Sequence, residues 1–139
     1  MSRPQTVAEI AGRAQGEPGS FDRAVREFLD AWQSMPLRER GDALKNEPDK
    51  VAPLEDAYLA ALTEHLALSE RISVPRWTEE TGRFLKEPFF AGGLESLKAI
   101  LLVESPLAFR RRLIFVSADG LSRPRRTGES DMPTTASVM

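Results

Sequence analysis

Through the middle of this chain, apolar residues recur at three- and four-residue spacing, and proline or glycine separates each such stretch from the next. The clearest run is Phe21, Ala24, Val25, Phe28, Leu29 and Trp32, which Ser20 can cap at its start. A stripe of this period lies along one side of a helix, and one helix can bury it only against another. No stretch alternates apolar and polar residues strongly enough to form a sheet. "LIFVS" has strand propensity but no second strand candidate to pair with. The expected fold class is all-α, a compact irregular bundle of about five to six helices.

The remaining elements follow from the same signals. Thr6 with Glu9 suggests a capping box and a short helix from about Thr6 to Ala14, ended by "GEPGS". Pro36 opens a more polar third helix to about Asn46, and Pro53 opens a longer one to about Glu70. In that fourth helix Leu54, Ala57, Tyr58, Ala61, Leu62, His65 and Leu66 share one broad face, a natural partner for the face of the second helix. "SVPRWTEETGRFLKEPFFAGG" reads as irregular chain with one short helical turn, broken by Pro75, Pro88 and Gly92-Gly93. Leu94 to Glu104 is apolar nearly all round toward its end, through Ile100, Leu101, Leu102 and Val103, and is expected to be a central buried helix. Ser105-Pro106 then caps a last helix through Val116.

With 139 residues and 41% hydrophobic content, the chain can bury roughly two thirds of its unfolded surface in one core. Residues 1–121 are expected to form a single helical domain. Residues 122–139, "SRPRRTGESDMPTTASVM", are expected to form a disordered tail too polar to offset its ordering entropy. The net charge of −2 offers no global attraction to nucleic acid or to an acidic membrane. The absence of cysteine excludes disulfides, a thiolate nucleophile and a sulfur-ligated zinc site, and fits a cytoplasmic protein. The apolar run Ala99 to Val103 is far too short to span a bilayer, so no membrane partner is expected.

No motif reaches an enzyme signature, and no cofactor is implied. His65 is the only histidine, and neither H-E-x-x-H nor Glu-x-x-His spacing surrounds it. Ser69 lies one helical turn beyond, so a nucleophile and base pair is conceivable, although the adjacent Glu64 points about 100° away. "AGGLES" lacks the phosphate-loop pattern and reads as a tight turn. Residues 62–80, "LTEHLALSERISVPRWTEE", have the rhythm of a helix-turn-helix, with "LSER" as the turn and Ile72, Val74 and Trp77 opening the second helix. Pro75 obstructs it, and Arg71 and Arg76 face four glutamates there.

"PLAFRRRLIFVS" holds three consecutive arginines. If Pro106 to Val116 is helical, Phe109, Leu113 and Val116 form the buried stripe. Arg111 then points away as the one clearly free arginine, with Arg110 and Arg112 at the borders. Together with Arg123, Arg125 and Arg126, these arginines make a basic patch with Asp119 as its only nearby carboxylate, suited to an acidic protein surface or a phosphate-bearing ligand. Trp77 and Phe89 complete the expected partner-binding residues.

"RFLKEPFFAGGLESLKAILLVESPLAFRRRLIFVSADGLSR", Arg83 to Arg123, preceded by "YLAALTEHLALSERISVPRWTEE", resembles a family of small bacterial proteins. Their shared pattern is F-L-x-E-P-W-F-x-G-G-L-x-S-L followed by E-S-P-x-A-F-R-R-R-x-I-F-V. Here Phe89 stands in place of the tryptophan, and Leu113 at a position often polar. Such proteins resemble antitoxin-like partners encoded beside nucleotidyltransferase-like toxins. The resemblance implies a non-enzymatic protein that binds and regulates such an enzyme; the alternative is a DNA-binding regulator using residues 62–80 or the arginine patch.

Overall fold

The computed structural model describes residues 3–90 and 105–116, and they are organised by helices. The order is α1 (Val7–Gly16), α2 (Phe21–Ser34), α3 (Leu37–Lys45) and α4 (Pro53–Ser69). Two short 3-10 turns follow, at Arg76–Glu79 and Thr81–Arg83, then strand β1 (Phe89–Phe90). The later described segment carries α5 (Leu107–Arg110) and strand β2 (Ile114–Phe115). The helix expected over Leu94 to Glu104, the Gly92-Gly93 turn and the tail with Arg123, Arg125 and Arg126 lie outside the described residues.

Helix starts follow the local chemistry with small shifts. Thr6 Oγ1 accepts the Glu9 N–H at 3.1 Å, as a capping box requires. The Glu9 carboxylate, however, accepts from the Gln5 N–H at 2.6 Å, so the reciprocal bond falls one residue early. Ser20 precedes α2, but its hydroxyl donates to the Arg13 carbonyl at 3.2 Å and ties the α1–α2 turn instead of capping. Gly19 supplies the positive φ of +85° that this turn needs.

α2 buries Ala24, Val25, Phe28, Leu29, Ala31 and Trp32, the stripe its spacing marks, and α1 contributes Val7, Ile10 and Ala11 to the same core. Phe21 at the start of α2 meets Tyr58 of α4 edge to face, with ring centroids 5.7 Å apart. α4 is the central element. Its buried residues run from Asp56 to Ala67 and include Leu59, Ala60 and Thr63, so it is covered on more than the single face its periodicity marks.

α4 ends in a paired-bond cap: the Ile72 N–H donates to the Ala67 carbonyl at 2.8 Å, and the Arg71 N–H to Leu68 at 3.3 Å. The geometry places Arg71 at φ +59°, a left-handed position that usually falls to glycine.

The last described segment departs from the continuous helix expected through Val116. α5 stops at Arg110, and the next residues turn through the bonds Arg112 N–H to Phe109 and Leu113 N–H to Arg110, both 3.0 Å. Leu113 takes φ +66°, which breaks the helix and redirects the chain into β2. "LIFVS" does find a partner. Phe89–Phe90, within the region read as irregular, pairs with Ile114–Phe115 in parallel, and Phe90 stacks on Phe115 at 4.9 Å. Ser105 does not cap α5; Pro106 holds that position. The Ser105 hydroxyl instead accepts the Val116 N–H and donates to the Val116 carbonyl, each at 2.9 Å, closing residues 105–116 into a loop.

Among the described residues, no helix is long and apolar enough to cross a membrane.

Candidate functional site

The three arginines have three different environments. Arg112 is fully buried. Its Nη1 donates to Glu64 Oε1 at 2.6 Å and to the Ala108 carbonyl at 2.8 Å, and its Nη2 donates to the Thr78 carbonyl at 2.8 Å. The guanidinium lies over the Phe84 ring at 4.5 Å. Its Nε has no hydrogen-bond partner among the described residues. Burial pushes the Arg112 pKa down, and the Glu64 carboxylate opposes that shift. The expected place for Arg112, at a helix border with its head in water, is therefore corrected: the turn after α5 aims its side chain inward.

Arg111 is not free either. Its Nη1 reaches both Glu64 oxygens at 2.8 Å, and its two terminal nitrogens engage Glu79 at 2.8 and 3.1 Å. Its side chain is 34% exposed, so the pairs lie at the protein surface over a buried Glu64. The Glu79 hydrogen bonds raise the Arg111 pKa, and the same bonds hold the Glu79 carboxyl below its ordinary value. The expectation of an exposed Arg111 failed because it assumed a helix, whereas α5 has already ended and the residue turns toward α4.

Arg110 alone of the three projects into solvent without an ion pair to any described carboxylate. Leu107, one helical turn earlier, is 58% exposed. Phe89 on β1 is 39% exposed. Two consecutive backbone bonds connect this set: Phe89 N–H to the Leu113 carbonyl at 2.8 Å, and Leu113 N–H to the Arg110 carbonyl at 3.0 Å.

Trp77, the other expected contact, belongs to the interior. Its Nε1–H donates to the Leu44 carbonyl at 3.2 Å, and its ring lies beneath Arg83 at 4.9 Å. Arg83 is a second fully buried arginine that sequence reasoning passed over. It donates to the Pro48 carbonyl at 2.6 Å, the Glu47 carboxylate at 3.1 Å and the Asp56 carbonyl at 3.3 Å. No local signal marks it, because its partners stand 27 to 36 residues away.

The remaining candidate chemistry does not assemble. The Ser69 hydroxyl donates to the backbone carbonyl of His65 at 2.9 Å, not to its imidazole. The His65 ring packs edge-on to Phe109 at 6.2 Å, and its half-burial lowers its pKa. Glu64 is occupied by the two arginines. The helix-turn-helix expectation fails on geometry: α4 is followed by extended chain and the 3-10 turn Arg76–Glu79, too short to serve as a recognition helix. Among the described residues, no group of three or more His, Asp or Glu side chains could hold a metal ion. Compared with family models, with curated proteins and with solved structures, the chain finds no match.

Proposed function

We propose that this is a non-enzymatic partner-binding protein that binds and regulates a nucleotidyltransferase-like enzyme, as its antitoxin or accessory subunit. The observation that carries the binding part is the exposed pair Leu107 and Arg110, an apolar side chain and a cation that no described carboxylate pairs with, on a segment otherwise pinned to the core. Arginine is enriched among the residues that carry binding energy at protein interfaces, and an exposed leucine one turn away adds apolar surface to bury. The class of partner rests on the resemblance of "ESPLAFRRRLIFV" to antitoxin-like proteins. Arg123, Arg125 and Arg126 remain candidate contacts by sequence.

The test is co-expression with the nucleotidyltransferase-like product of an adjacent gene, followed by size-exclusion chromatography and an assay of the enzyme. The expected result is a stable complex in which the enzyme's activity changes. Separate elution of the two proteins would reject the reading.

A further inference from the structure

We infer that Ser105–Val116 is a preorganised recognition loop that docks an acidic, apolar segment of a partner protein onto Leu107, Arg110 and Phe89. The inference rests on the partner-binding reading and adds the chemistry of what is bound.

Three separate anchors hold the loop. The Ser105 hydroxyl joins its two ends through both polar backbone groups of Val116. Arg111 and Arg112 fix its turn to Glu64 on α4 and to Glu79. β2 pairs with β1 through the register Phe89↔Ile114 and Phe90↔Phe115. A loop fixed in this way has little conformational freedom left to lose on binding, which raises affinity without new contacts.

What the loop displays is out of keeping with that anchoring. Leu107 is 58% exposed in the same short helix whose Ala108 and Phe109 are buried. Phe89 on β1 is 39% exposed and is joined to Arg110 through the two backbone bonds of Leu113.

Charge decides the occupant. Glu64 and Glu79 compensate Arg111 and Arg112, whereas no carboxylate among the described residues pairs with Arg110, whose guanidinium can bind a partner's carboxylate in bidentate fashion. Nucleic acid fits less well, since phosphate binding scales with the number of cations neutralising it. Near Phe89 the exposed Lys86 and Glu87 offset each other, which leaves this surface the single net charge of Arg110, enough for one carboxylate beside apolar side chains and too little for a polyanion.

The test pans a random peptide display library over the immobilised full chain. Enriched peptides are expected to carry Asp or Glu next to Leu, Ile, Phe or Trp. Their affinity should fall by about tenfold or more in Arg110→Glu and in Leu107→Asp, and stay unchanged in Leu37→Asp, which alters an exposed leucine on α3. Unchanged melting temperatures for the two loop variants keep the result one of binding. Enrichment of basic peptides, binding that survives Leu107→Asp, or no enrichment at all would overturn the inference. So would a homodimer of the free chain that Leu107→Asp dissociates, since the loop would then serve a second copy.

Run beside the co-expression experiment, the two claims separate. An enzyme complex that survives both loop variants removes the loop and leaves the partner-binding reading. Acidic peptides selected at the loop, with no enzyme complex, do the reverse.

Discussion

Glu64 of α4 and Arg112, 48 positions later in the chain, meet at 2.6 Å with both side chains buried, and Arg111 closes on the same carboxylate from the surface. One carboxylate thus fixes two arginines that look alike in sequence to the third. Removing it strands a buried guanidinium, so Glu64→Ala should cost about 3–5 kcal/mol in chemical denaturation. Replacing the pair together, Glu64→Leu with Arg112→Met, should cost less than Glu64→Ala alone, because no charge is left uncompensated. A double variant less stable than the single one would contradict the pairing.

Arg111 and Arg110 should differ in a direct comparison. Arg111→Ala loses its bonds to Glu64 and Glu79 and should lower stability by about 1 kcal/mol, reduced by its partial exposure. Arg110→Ala touches neither carboxylate and should stay within about 0.5 kcal/mol of the parent. Urea melts of both variants check this.

Arg71 occupies the left-handed position after α4 at φ +59° and is exposed. Arg71→Gly removes the steric cost of that conformation and should stabilise the protein by about 1 kcal/mol, read as a rise in melting temperature. A fall would mean that Arg71 makes a contact that outweighs its strain.

Burial lowers the His65 pKa below its ordinary 6.5 in the folded protein. The unfolded chain therefore binds the proton first, and His65 favours folding above pH 6.5 and loses that contribution as pH falls toward the lowered value. Melting temperature should drop between about pH 7.5 and 5.5, and the drop should be smaller in His65→Gln. The Glu79 carboxyl, held below its ordinary value of 4.5, acts only under more acid conditions and does not confound the comparison.

The parts of this fold legible in sequence are those set within one or two helical turns. The expected fourth helix, Pro53 to about Glu70, is found over Pro53–Ser69, and the apolar stripe of α2 is the face it buries. Where the structure depends on distant partners, sequence reasoning failed. β1 is two residues long and cannot show an alternating pattern, so β2 had no visible mate. Nothing near Leu113 announces a positive φ, and extending α5 as a helix pointed Arg111 outward and left Arg112 at the border. Trp77, expected as a contact, is interior instead, and the carbonyl that satisfies its indole belongs to Leu44, 33 residues away.

The central claim is that Arg110 is the contact residue and that Arg111, its neighbour, is structural. Its most direct test measures melting temperature and binding of the co-expressed enzyme, side by side, for Arg110→Glu and Arg111→Glu. Arg110→Glu should abolish or strongly weaken binding at an unchanged melting temperature, while Arg111→Glu, placed against Glu64 and Glu79, should lower the melting temperature. Binding lost in a fully stable Arg111→Glu and retained in Arg110→Glu would contradict the account.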